Sequence, residues 1–107
     1  MSEAYTFLEL LQPAVTVPPN GILSQTVYSD EHLKLVLFHF APGAELSEHT
    51  AALPAIIHIL QGEAALTLNG EAREARPGTW VRMPAHLPHS VRANTPLVMA
   101  LQLLKAD

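Results

Sequence analysis

The chain's 107 residues are 49% hydrophobic but only 15% charged, with six Lys and Arg against ten Asp and Glu, a net charge of −4, and no cysteine. The basic residues are scattered, which removes the electrostatic footprint that nucleic acid or an anionic membrane requires. The lack of cysteine excludes disulfides, thiolate metal sites and a thiol nucleophile.

A chain of this length is expected to form one domain spanning 1–107 and to bury roughly 65% of the surface its unfolded form exposes. Its charge content is well below the roughly 25% of an average soluble domain, which predicts a covered apolar surface, most simply a homodimer interface. The sequence opens without a basic region followed by an apolar run. It also contains no apolar stretch near the ~20 residues of a membrane span, so a soluble, cytoplasmic protein is expected.

The first stretch, Glu3 to Leu11, has apolar residues at helical spacing (Ala4, Phe7, Leu8, Leu11) but β-favouring residues at Tyr5, Thr6 and Phe7, and both readings stay open. Pro18-Pro19-Asn20-Gly21 predicts a turn, because proline fixes φ and Asn-Gly adopts positive φ readily. Ile22 to Tyr28 and Leu33 to Phe40 then read as an antiparallel hairpin across Ser29–His32. Both faces of the second strand are apolar, Leu33, Leu35 and Leu37 on one and Val36, Phe38 and Phe40 on the other, which predicts burial on both sides.

Ala41-Pro42-Gly43 ends that strand. Further strands are expected over Leu53 to Leu60, Ala64 to Leu68, Glu71 to Ala75, Thr79 to Met83, His89 to Ala93 and Leu97 to Leu104. Asn69-Gly70 between two of them is the strongest hairpin signal in the chain. Short strands with turn signals every six to twelve residues, and almost no helical pattern, predict an all-β antiparallel sandwich or barrel. Trp80 and Arg82 share a face opposite Val81 and Met83, and are expected to be covered by the N-terminal segment or by a partner subunit.

Two stretches carry a more specific pattern. Gly43, His49 and Gly62 stand as in G-x5-H-x-H-x3-E-x6-G, and Gly78, Pro84 and His89 as in G-x5-P-x-G-x2-H-x3-N. These are the two signatures of the cupins, in the right order, over 43–62 and 78–93, and the chain resembles a small single-domain cupin. The resemblance implies a double-stranded β-helix, the RmlC-like jelly-roll barrel. It also implies a metal site of three histidines and one glutamate, at positions that here hold His49, Ala51, Ala55 and His89. Two of the four are methyl groups. The final Asn of the second signature is Ala93, and its internal Gly is His86, at a turn position where histidine tolerates positive φ.

A divalent transition metal held by His49 and His89 alone falls short of the usual three or four protein ligands. Replacement ligands are sought among the other histidines, His39, His58 and His86. Strand alternation sets His58 outward if Ala55 faces the pocket, because Ile57 and Ile59 then share its inward face. His86, three residues from His89, can fold over the pocket mouth.

The expected pocket is lined by His49, Ala51, Ala55, Ile57, Ile59, Val81, Met83 and His89, with Leu66 or Leu68 as a further neighbour, largely apolar with two imidazoles, as small-molecule sites commonly are. The first functional expectation is therefore a binding module for a small apolar or weakly polar ligand with no metal cofactor. The second is a metal-dependent enzyme of dioxygenase or isomerase type that uses His49, His89 and a non-standard third ligand. A metal-free variant would use one imidazole as a proton carrier. A third expectation is a structural or regulatory dimer with a vestigial pocket.

Overall fold

The computed structural model describes residues 4–11 and 15–105. These contain nine strands and no helix: β1 Ile22–Ser29, β2 Leu33–Phe40, β3 Glu45–His49, β4 Ala55–Gln61, β5 Ala64–Leu68, β6 Glu71–Ala75, β7 Trp80–Met83, β8 His89–Ala93 and β9 Leu97–Leu104. All pairings are antiparallel. They build a five-stranded sheet in the order β1-β2-β9-β4-β7 and a four-stranded sheet in the order β3-β8-β5-β6, the two layers of a jelly roll. No helix of the described residues is long and apolar enough to cross a membrane.

The turns follow local chemistry. Asn69 and Gly70 adopt φ of 51° and 82°, the left-handed pair of a two-residue β5–β6 hairpin. Between β1 and β2 the Asp30 carboxylate accepts the backbone N–H of His32 and of Leu33 at 2.8 and 2.9 Å, an Asx-type turn that ties the loop to its own side chain. Gly62, between β4 and β5, has φ of 86°, and a Cβ there would overlap the Pro96 carbonyl oxygen.

Strand β3 has no counterpart among the expected strands. Its sequence, Glu-Leu-Ser-Glu-His, has one apolar residue, and its side chains are mostly exposed. Long-range backbone bonds hold it: it pairs with β8, and Gly43 N–H donates to Ala93 O at 2.8 Å while Ala93 N–H donates to Ala44 O at 2.9 Å. Residues 4–11, where helix and strand were both open, form neither.

Between the sheets, inward residues align in rows across the ladders. One row is Val36, Leu101, Ile57 and Val81; another is Phe38, Met99 and Ile59. Facing them are Val91 with Leu66, and Ala93 with Ala64 and Ala75. Apart from Val36, which is buried beside them, these side chains together with Phe40, Met83 and Leu97 make the main core, where full burial of each Leu- or Ile-sized group contributes about 1.5–3 kcal/mol.

The odd-numbered residues of β2 turn the other way. Leu35 and Leu37 join Ala100 in a second apolar cluster on the outer face of the five-stranded sheet, against which Leu10, Val27, Leu33, Leu60 and Val98 pack. Strand β2 is thus buried on both faces, as its sequence predicts. Trp80 is 59% exposed, and the described residues of the N-terminal segment do not cover it.

Candidate functional site

The histidine pair lies at one end of the barrel, and the topology defines its surroundings. His49 ends β3 and is the ladder partner of His89, which opens β8. The loop 50–54 carries the chain from His49 across to Ala55, and the loop 84–88 carries it from Met83 across to His89. Ala55 and Met83 are ladder partners in the other sheet. The four positions His49, Ala55, Met83 and His89 therefore form a closed circuit around one rim, joined by two crossing loops and two strand pairings. His86 N–H donates to Ala51 O at 2.7 Å and locks the two loops together. The turn that permits this puts His86 at φ 68°, the positive value its place in the second motif predicts.

One wall of this rim is imidazole and the other is hydrocarbon. The rings of His49 and His89 stand with centroids 4.3 Å apart and planes tilted by 54°. His49 Nδ1 is 2.8 Å from Ser47 O, and His89 Nδ1 is 2.8 Å from Leu87 O. Each ring is thus oriented by the carbonyl two residues before it. Next to His89 along the ladder is Leu68, and next to Ala55 is Leu103; both are half-buried and pack on the main core.

Of the expected pocket residues, Ala55, Ile57, Ile59 and Met83 are 2%, 1%, 0% and 2% exposed and belong to the packed core. They form a closed floor. Val81 is half-buried against that core, Ala51 is half-buried in the loop after β3, His49 is exposed and His89 is buried. The half-buried rim residue Leu103 was absent from the expected set. Its signal was alternation: it lies two positions from an inward leucine of its own strand, Leu101.

The structure does not bring the remaining histidines to the pair. His39 and His58 occupy the outward parity of β2 and β4: His39 is the partner of Val98 and His58 the partner of Ala100, both on the outer apolar cluster. Burial pushes the His39 imidazole below its ordinary pKa, favouring the neutral ring. His86 is exposed in its loop. Among the described residues no group of three or more His, Cys, Asp or Glu is placed to hold a metal ion. The Nδ1 contacts to backbone carbonyls are those a metal-binding imidazole commonly makes, but with methyl groups at 51 and 55 the donor set is two nitrogens. It does not fit a site built on three or four protein ligands.

A two-layer jelly roll with a paired-imidazole rim is the architecture of a small cupin barrel. The family model "Cupin domain" matches residues 36–103, and the chain belongs to that family. Solved structures agree. The chain superposes on an RmlC-like cupin protein from Desulfovibrio desulfuricans with a TM-score of 0.84, 26% identity, and coverage of 94% of this chain and 97% of that one. A cupin superfamily protein from Desulfitobacterium hafniense gives 0.80, 24%, and coverage of 94% and 100%. An RmlC-like cupin from Shewanella frigidimarina gives 0.79, 22%, and coverage of 98% and 93%. No curated protein sequence matches the chain.

Proposed function

We propose that this cupin is a binding module that takes a small apolar or weakly polar molecule at the rim defined by His49, Ala55, Met83 and His89, without the family's four-ligand metal. The observation that carries the reading is the split rim, with His49, His89 and, beside His89, Leu68 on the four-stranded sheet and Ala55, Met83 and Leu103 on the five-stranded sheet. An apolar wall with a few placed polar groups suits small-molecule recognition, whereas two nitrogens alone would leave a metal held mostly by water. The test is elemental analysis of untagged protein together with titration of Mn²⁺, Fe²⁺, Ni²⁺ and Zn²⁺. The expected result is substoichiometric metal and no tight binding. Stoichiometric metal that is lost in both His49→Ala and His89→Ala would refute the reading and favour a metal-dependent enzyme.

The outer face of the five-stranded sheet is assigned, on the same footing, to a second copy of the chain. Around the cluster already closed within the chain it leaves Leu60 and Val98 half-buried and, at its β7 edge, Trp80 exposed, on a protein with only 15% charged residues. Aromatic residues of this kind anchor protein interfaces. Sedimentation equilibrium should give a dimer that Trp80→Glu weakens at least tenfold. A monomeric wild type at tens of micromolar would overturn the assignment.

A further inference from the structure

The two rim imidazoles share one unsatisfied atom type. A backbone carbonyl can only accept, so the bonds to Ser47 O and Leu87 O place a proton on Nδ1 of each ring, and in the neutral ring Nε2 keeps its lone pair. Neither Nε2 has a hydrogen-bond partner among the described residues. His89 is only 6% exposed, yet no buried side-chain nitrogen or oxygen of the described residues lacks a partner. Its unpartnered Nε2 is therefore within reach of solvent. The rim presents two adjacent acceptors and, from these side chains, no donor.

Such a pair selects its ligand by the direction of the hydrogen bond. A carboxylate or a ketone brings only lone pairs and meets both nitrogens unfavourably, whereas a group with two N–H bonds satisfies both. The two N–H bonds of an –NH₂ group diverge by about 120° and reach two acceptors about 5 Å apart when each N···N distance is about 2.9 Å. Rings with centroids 4.3 Å apart, each Nε2 about 1.2 Å from its own centroid, set the two nitrogens between about 2 and 7 Å apart, a range that includes this spacing.

We infer that the rim recognises a small molecule whose apolar body ends in a primary carboxamide, the –NH₂ group donating one hydrogen bond to Nε2 of His49 and one to Nε2 of His89. The apolar body lies against the half-buried Leu68 and Leu103, over the closed floor that Ala55 and Met83 help to form, and the amide oxygen faces water. The inference rests on the reading of the barrel as a metal-free binding module and names the ligand class of that site.

The experiment uses the full chain, freed of metal by chelation, and three isosteric probes: benzamide, acetophenone and benzoate. Calorimetry should show benzamide binding at least tenfold more tightly than acetophenone, with benzoate undetectable. His49→Leu and His89→Leu should each weaken benzamide at least threefold and narrow its advantage over acetophenone, because each removes one of the two donated bonds. Should either variant fail to fold, two-bond ¹H–¹⁵N spectra of the wild type decide independently: both histidines should appear as the Nδ1–H tautomer, and both Nε2 resonances should move when benzamide is added.

An Nε2–H tautomer at either histidine overturns the inference. Equal affinity for benzamide and acetophenone also overturns it while leaving the binding barrel standing. No binding of any probe, or stoichiometric metal on the pair, overturns both.

Discussion

Replacing Gly62 by alanine separates two costs that are usually confounded. Gly62 and Gly43 have nearly the same backbone, with φ of +86° and +82°, but around Gly43 nothing lies within 4 Å of an added Cβ. At Gly62 that atom would run into Pro96 O and would sit 3.0 Å from Leu97 Cα, both backbone. Positive φ costs an alanine roughly 1–2 kcal/mol, offset by about 0.4–1 kcal/mol from a less flexible unfolded chain. Gly43→Ala should therefore destabilise by about 0.5–1 kcal/mol.

At Gly62 the same term is joined by an overpacking cost of about 1–3 kcal/mol, because the Thr95–Leu97 backbone must move as β9 begins. The expected total is about 1.5–4 kcal/mol, and at about 4 °C per kcal/mol for a domain of this size the Tm falls by about 6–16 °C. Urea unfolding of the two variants side by side measures the difference, with unchanged m-values as the control. If the two lose the same stability, the close approach of Gly62 to Pro96 plays no part and the argument fails.

Two other perturbations test the loop chemistry and the site. The Tyr28 hydroxyl, 2.7 Å from Asp30 Oδ2, and then the His32 and Leu33 amides hold the Asp30 carboxyl down to about 2. Its folded value lies below the unfolded one of about 3.9, so its contribution is present above that pH and is lost as the pH falls towards 2. The stability gap between wild type and Asp30→Asn should accordingly close between pH 4 and pH 2 in acid titrations of unfolding, and a constant gap would exclude the carboxylate as its source.

The double variant Ala51→His with Ala55→Glu rebuilds a four-donor rim. Without metal it should be less stable, since Ala55 is 2% exposed and an unpaired carboxylate there is costly. With Ni²⁺ at a hundred times its Kd it should regain about 2.7 kcal/mol, read as a rise in Tm that the wild type does not show. No rise would mean that the four positions do not converge as the circuit of loops and ladders implies.

Much of this fold is visible in the residues themselves because alternation and turn chemistry are local. Leu33–Phe40, Ala64–Leu68, Glu71–Ala75, His89–Ala93 and Leu97–Leu104 begin and end where the alternating apolar pattern and the flanking Pro, Gly and Asn residues predict. The outward placement of His58 follows from parity with Ala55, Ile57 and Ile59 alone. Strand β3 escapes the same reading because its stability comes from hydrogen bonds to β8, some forty residues away, and a strand with one half-buried leucine has no amphipathic signature.

The site divides similarly. The spacing of Gly43, His49, Gly78 and His89 locates the two imidazoles, while the orientation of each ring depends on Ser47 O and Leu87 O, backbone atoms to which side-chain identity is blind. Ile57 and Ile59 share the inward face of Ala55, but only the packing against Phe40, Leu66 and Met99 turns that face into a floor rather than an open wall.

The place of β9 in the five-stranded sheet has a consequence for how the molecule is made. It lies between β2 and β4, yet of the nine strands it is the last to be synthesised. Until it arrives, β2 and β4 each present an unpaired edge, and neither the main core nor the outer apolar cluster can close without Met99, Leu97 and Ala100. A nascent chain can form the local β5–β6 hairpin early, but the central ladder is a late, long-range event of the kind that slows folding. During that interval the exposed edges invite pairing between chains, so the yield of native protein should depend on how quickly β9 is delivered to the gap between β2 and β4.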